Sequence, residues 1–78
     1  MDKLFTVREV SDAFSVSQKT IRRLIYKIDS PLPYLRIGTS IRFHKKDILA
    51  YRHFNKPYSK LNSSQKALVW DYENKGVL

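Results

Sequence analysis

The sequence predicts a mainly α-helical domain that carries a small β-hairpin, and three observations support this prediction. Two short amphipathic segments follow each other at residues 7–14 and 18–28, with a serine-containing turn between them. An alternating apolar and polar segment at residues 34–44 is interrupted by Gly-Thr-Ser. The chain has 78 residues, which is enough for one domain and too few for two.

The first predicted helix, residues 7–14, begins at a capping box. The Thr6 hydroxyl is placed to accept a hydrogen bond from the Glu9 backbone, and the Glu9 carboxylate is placed to accept one from the Thr6 backbone N–H. Apolar residues at helical spacing then predict one buried stripe, formed by Val7, Val10, Ala13 and Phe14.

The second predicted helix, residues 18–28, has an apolar side and a cationic side. Ser17 is its expected N-cap. Four residues at spacing i, i+3, i+4 and i+7 are expected in the core: Ile21, Leu24, Ile25 and Ile28. The others then face solvent or a ligand: Gln18, Lys19, Arg22, Arg23, Tyr26 and Lys27. Two short helices joined by a tight turn, the second of them basic, form a helix-turn-helix pattern.

The alternating segment predicts a β-hairpin with one apolar face. The residues expected on that face are Leu35, Ile37, Ile41 and Phe43. Arg36 and Arg42 are expected on the opposite face. We expect Ile37 to pair with Ile41 across a three-residue loop, residues 38–40, since this register keeps all apolar side chains together.

A third helix is predicted over residues 45–54. Asp47 lies in its first turn, where the helix dipole favours a negative charge. Ile48 and Tyr51 are expected to face the core, with Leu49 or Phe54 beside them.

The C-terminal segment is more polar and less basic. We therefore expect a domain boundary here, with the helix-turn-helix pattern and the hairpin in a domain at residues 1–54 and a C-terminal extension at residues 55–78. A helix at about 63–74 is predicted in this extension, capped by Ser63 or Ser64, with Gly76 just past its end. Its expected apolar face contains Leu68, Val69 and Tyr72, with Leu61 and Trp70 more loosely associated. Trp70 and Tyr72 would either dock on the domain or contact a second copy or a partner protein.

Charge favours a polyanionic partner. Fifteen Lys and Arg residues against seven acids give a net charge of +8. Double-stranded DNA is the leading candidate and an anionic membrane surface is the second, while a merely basic protein is the alternative that charge alone leaves open. No apolar run approaches the roughly 20 residues that span a bilayer. The first ten residues lack the apolar region of a signal peptide, so we expect a cytoplasmic protein.

Catalytic and metal-binding patterns are missing from the sequence. It has no Cys, two His at positions 44 and 53, and Gly only at positions 38 and 76, which leaves no metal-ligand cluster and no phosphate-binding glycine loop. We therefore expect no enzyme activity, no metal and no cofactor. A membrane-surface helix would need a free apolar face, whereas the apolar stripes here are needed for the core.

Residues 4–54 resemble the excisionase-like and MerR-like winged helix-turn-helix domains, which include small phage excisionases and AlpA-type regulators. The matching segments are LFTVREVSDAFSVSQKTIRRLI and PYLRIGTSIRFHKKDILAY. The second contains a wing of R-x-G-x-x-x-R type formed by Arg36, Gly38 and Arg42, with Thr39 and Ser40 where further basic residues are common. The resemblance implies DNA binding in transcription regulation, or in DNA recombination of a phage or mobile element with a recombinase as partner.

A helix-turn-helix places its second helix in the major groove, and a hairpin tip enters the neighbouring minor groove. The candidate DNA-binding residues are therefore Ser17, Gln18, Lys19, Arg22, Arg23, Tyr26, Lys27, Arg36, Thr39, Ser40 and Arg42. Because one small domain makes few base contacts, we expect several copies to bind cooperatively on repeated sites. The alternative function is a protein-interaction module that uses the C-terminal aromatic residues.

Overall fold

The computed structural model of the chain describes residues 3–76. The elements in chain order are β1 (Leu4–Thr6), α1 (Val7–Phe14), α2 (Gln18–Ile25), β2 (Leu35–Ile37), β3 (Ser40–His44), α3 (Lys45–Phe54), a 3₁₀ turn (Tyr58–Lys60) and α4 (Ser63–Asn74). The predicted fold class, mainly helical with a small hairpin in a winged helix-turn-helix arrangement, is confirmed. The predicted limits at residues 1 and 78 lie outside the described residues.

The helix-turn-helix begins at the predicted capping box. The Glu9 N–H donates to Thr6 Oγ1 at 3.1 Å, and the Thr6 N–H donates to Glu9 Oε1 at 3.0 Å. Ser15 ends α1 in the left-handed region, with φ 57°. The chain can then turn sharply into α2 within three residues.

The second helix is shorter than predicted. It ends at Ile25, and Ile28, which was expected in the core, is fully exposed. Ser30 takes a φ of 50°, and the Leu32 N–H donates to the Leu24 carbonyl at 2.9 Å, so the chain folds back against the end of α2. Leu32 is 1% exposed and fills the core position that the helical spacing assigned to Ile28.

The hairpin belongs to a three-stranded antiparallel sheet in the order β1-β3-β2. The strand β1, which the sequence did not predict, pairs Phe5 with Phe43 of the central strand. Phe43 is completely buried, with Phe5 and Ile41 packed against the same core cluster. The sheet thereby ties the hairpin to the start of α1.

The predicted hairpin register is wrong by one residue. Ile37 pairs with Ser40 rather than with Ile41, across a two-residue loop of Gly38 and Thr39. Gly38 has a φ of +63°, a conformation that two-residue hairpin loops require and that suits glycine. A shift of one residue moves the side chains of a strand to the opposite face. Ile37 therefore lies away from Phe43 and is 55% exposed.

The same shift separates the two wing arginines. Leu35 pairs with Arg42, whereas Arg36 pairs with Ile41. Directly opposed residues in a sheet share a face, so Arg36 and Arg42 leave opposite faces of the hairpin. The expectation that both project from one face is wrong.

The C-terminal helix packs on α3 in cis. Val69 of α4 is fully buried in a second apolar cluster with Leu49, Ala50 and Leu61. Leu68, which was expected beside Val69, is 45% exposed, because adjacent helical residues point about 100° apart. The N-cap is Asn62 in a capping box with Gln65, not Ser63 or Ser64.

The start of α3 lies under the C-terminal segment. Asp47 occupies the first turn of α3 as predicted and accepts a hydrogen bond from the Tyr58 backbone. Burial raises the pKa of Asp47 from its ordinary value, against the opposing effect of that hydrogen bond. Over residues 3–76, none of the helices is both long enough and apolar enough to cross a bilayer.

Candidate nucleic-acid interface

The outward side of α2 is cationic, as the sequence predicted. Its inward side chains Ile21 and Ile25 are buried, which directs Lys19, Arg22 and Arg23 into solvent. None of these three cations has an ion-pair partner among residues 3–76. The helix therefore presents positive charge that its neighbours do not neutralise.

The two ends of α2 place the remaining predicted residues of this segment. Ser17 caps the helix, accepting from the Thr20 N–H at 3.1 Å, and its hydroxyl also lies 3.0 Å from Thr20 Oγ1. Gln18 is the first helical residue and is exposed. Tyr26 caps the C-terminus and is 65% exposed, while Lys27 lies in the exposed turn beyond it.

The hairpin places its polar residues at different positions. Thr39 is exposed in the loop, and Ser40 is half-buried at the start of β3. Arg42 is half-buried, and its Nη1 donates to the Ile41 carbonyl at 2.9 Å. Arg36 is exposed on the other face of the hairpin.

A cleft of about 300 Å³, named here the interface cleft, lies where the start of α1, the start of α2 and the hairpin meet. The polar residues that line it are Thr6, Arg8, Gln18, Arg22, Thr39, Ser40 and Arg42. The cleft thus brings together five of the predicted residues. The other six do not line it: Ser17, Lys19, Arg23, Tyr26, Lys27 and Arg36.

Arg8 and Thr6 are the two polar lining residues that lie outside the predicted set. Arg8 lies on the exposed side of α1, two residues after the cap. Its neighbourhood depends on the pairing of β1 with β3, which sets Thr6 opposite Arg42. From the local sequence, a contact with the DNA backbone and a plain surface arginine are equally good predictions for this position.

The electrostatics of the interface cleft are one-sided. Within the described residues, no acidic side chain lines the cleft. The nearest acid in sequence to Arg8, Glu9, is paired with Lys3 at 2.9 Å. The hydrogen bond from Lys3 and the one from the Thr6 backbone hold the pKa of Glu9 below its ordinary value. Glu9 is therefore ionised and already has a cationic partner.

Comparison with known proteins adds the family. Residues 4–55, which are 52 of the 78 residues, match the model of the helix-turn-helix domain family. The chain belongs to this family of excisionase/AlpA-like helix-turn-helix domains. It is accordingly a DNA-binding helix-turn-helix protein. No curated protein and no solved structure gives a significant match.

The family assigns the parts of this helix-turn-helix protein. The matched region runs from β1 to one residue past α3, so α4 lies beyond it. Its helix-turn-helix pair is α1 and α2. Metal ligands are not clustered in residues 3–76, where no group of three His, Cys, Asp or Glu side chains could hold an ion.

Proposed function

We propose that this protein binds DNA sequence-specifically, as an excisionase or a transcriptional regulator, with α2 in the major groove. One observation carries the proposal. The apolar stripe of α2 is buried, while its outward Lys19, Arg22 and Arg23 have no ion-pair partner among the described residues. A polyanion that follows the outward face of α2 would neutralise this charge and release counterions.

The residues of α2 divide into two roles. Gln18 pairs with adenine, and Lys19 or Arg22 with guanine, because these side chains match the acceptors and donors of the major groove. Arg23, Tyr26 and Lys27 lie further along and contact phosphates, and Ser17 keeps the helix start in place for a backbone contact. The division follows the usual order, in which the N-terminal residues of the recognition helix contact bases.

The hairpin enters the adjacent minor groove. Thr39 and Ser40 are at its tip, and Arg42 lies beside them on the face opposite Phe43, where it lines the interface cleft. The narrow minor groove attracts arginine through its negative potential. Arg36, on the other face, is exposed and contacts a phosphate on the far side of that groove.

Several copies bind together. With eight residues, α2 is about 12 Å long, which spans about four base pairs at about 3.4 Å each. So short a site is not unique in a genome, so copies on neighbouring repeats supply the remaining specificity. Such an assembly directs a recombinase toward excision or regulates a promoter.

Selection from random duplexes tests this function. We expect enrichment of a short repeated motif, and an affinity that falls steeply between low and physiological salt. Control duplexes with the motif scrambled should bind much more weakly. Recovery of unenriched sequences, or an affinity that does not respond to salt, would contradict the proposal.

A second candidate function rests on α4. Trp70 is 63% exposed and Leu68 is 45% exposed, although α4 is already docked on α3 through Val69. Large apolar side chains exposed to water are typical of a protein-binding surface. A protein-interaction module would use these side chains to bind another protein, with the helix-turn-helix as a scaffold.

Trp70→Ala tests whether α4 takes part in DNA binding. If DNA binding by α2 is the function, the variant should bind a single-copy duplex within about twofold of the wild type, because an exposed side chain outside the interface changes little. The measurement is fluorescence anisotropy of a labelled duplex. A variant that remains folded by circular dichroism but loses DNA binding would show that α4 contributes directly.

A further inference from the structure

The interface cleft unites three arginines from three different elements: Arg8 from α1, Arg22 from α2 and Arg42 from β3. Guanidinium groups carry the same charge and repel one another, so they are expected to lie apart in solvent. Here they line one cleft, and none of the described residues lining it is acidic. A cleft lined by charges of one sign focuses the electric field and concentrates oppositely charged ligands, so this cleft favours an anion.

The place of the cleft defines the anion. It lies between α2, which the proposed function puts in the major groove, and the hairpin, which it puts in the neighbouring minor groove. The sugar-phosphate backbone of one strand always separates a major groove from the adjacent minor groove. A protein that contacts both grooves at once must therefore accommodate this backbone between its two contacting elements.

We propose that the interface cleft is a phosphate-binding site, in which Arg8 and Arg42 hold the same phosphodiester of DNA from opposite sides. This inference rests on the proposed function and adds Arg8 to the DNA-binding residues. Arg22 lines the third side and reaches past the phosphate to a base. The site fixes the register of the protein on the duplex, since phosphate contacts position a protein while base contacts specify the sequence.

The arginines are suited to this role. Arg42 is half-buried and donates through Nη1 to the Ile41 carbonyl, which restrains its guanidinium and leaves further N–H donors for a ligand. Arg8 is exposed, with no ion-pair partner among residues 3–76. Arginine presents a planar fork that binds phosphate oxygens in pairs, and a partly desolvated charge strengthens each hydrogen bond. The hydroxyls of Thr39 and Ser40 supply further donors at the same edge.

Salt dependence of binding tests whether the two arginines share a phosphate. The variants are Arg8→Gln, Arg42→Gln and their double variant, with Lys56→Gln as a matched loss of one exposed charge outside the cleft. The probe is a short duplex that carries the motif enriched by selection. Removing one phosphate contact lowers the slope of log affinity against log salt by about 0.9. We expect the slope of the double variant to be lower than that of the wild type by this amount in total. A fall about twice as large would mean that each arginine contacts its own phosphate.

A neutral methylphosphonate at each backbone position in turn locates the phosphate. We expect one position, between the protected major and minor grooves, at which the substitution lowers wild-type affinity by about tenfold or more. The double variant should be insensitive to the substitution at that position while it still responds elsewhere. Far-UV circular dichroism establishes that each variant is folded, and Arg42→Lys, which keeps the charge but not the fork, should lose part of the affinity.

The outcomes are distinct. Three results would overturn the shared phosphate site and leave the DNA-binding function standing: Arg8→Gln binds with the same affinity as Lys56→Gln, the double variant loses about twice the slope of one phosphate contact, or no methylphosphonate position distinguishes wild type from the double variant. If wild-type protein does not bind the duplex, the proposed function itself fails.

Discussion

Replacing Arg22 with alanine is expected to lower affinity for the selected DNA site by about 5- to 150-fold, because a bidentate contact to guanine contributes about 1–3 kcal/mol. Arg22 is exposed on α2, lines the interface cleft and has no ion-pair partner among residues 3–76. Its removal takes nothing from the core, so the free energy of unfolding should change little. Anisotropy titrations at one fixed salt concentration measure the loss.

A comparison of specific with non-specific DNA distinguishes a base contact of Arg22 from a phosphate contact. If Arg22 reads a base, the variant should lose more affinity for the selected site than for a scrambled duplex. Arg23→Ala, which removes an equal charge from the next residue of the same helix, should weaken both duplexes alike. Equal losses on the two duplexes for Arg22→Ala would assign this residue to the phosphate backbone and leave base reading to Gln18 and Lys19.

The parts of the fold that the sequence predicted are those set by local chemistry. The capping box of Thr6 and Glu9 involves residues three apart, and the start of α1 follows from it. The cap at Ser17 and the spacing of Ile21 and Ile25 likewise fix the start and the inward face of α2. Neighbours in sequence supply all of these interactions, so no knowledge of the rest of the fold was needed.

The sequence predictions are wrong where contacts between separate segments of the chain determine the structure. Ile28 continues the helical spacing, but the hydrogen bond from Leu32 to Leu24 reverses the chain and exposes it. The strand β1 has three residues and forms only by pairing with β3. Arg8 enters the candidate site through the same pairing. When three elements form a site together, the sequence predicts only the residues that lie on a single helix, because the contacts between elements are not encoded locally.

The C-terminal segment supports the recognition helix through α3. Val69 of α4 covers Leu49 and Ala50, on the side of α3 that turns away from the main core. On the other side, the Tyr51 hydroxyl donates to the Ser30 carbonyl at 2.9 Å, which holds the segment that follows α2. The position of α2 therefore depends on packing that reaches beyond the matched family region.

Replacing Phe43 with alanine is expected to lower the free energy of unfolding by about 3–5 kcal/mol, the usual cost of deleting a buried phenylalanine ring. Phe43 is completely buried at the centre of the sheet and joins β1, the hairpin and the main core cluster. A domain of this size has a total stability of about 4–12 kcal/mol, so the variant should lose about a quarter of it or more. Urea denaturation followed by circular dichroism measures the change.

Ile37→Ala is the matched control, because it removes an apolar side chain from the same hairpin. It also tests the hairpin register. The alternation of the sequence treats Ile37 and Phe43 as equal members of one apolar face, whereas pairing of Ile37 with Ser40 leaves Ile37 55% exposed. With this register, Ile37→Ala should cost less than about 1 kcal/mol, because little of its apolar surface leaves water on folding. A cost that approaches that of Phe43→Ala would mean that Ile37 faces the core across a three-residue loop. The side chains of β2 would then point to the other face, and the hairpin would carry Arg36 and Arg42 on one face.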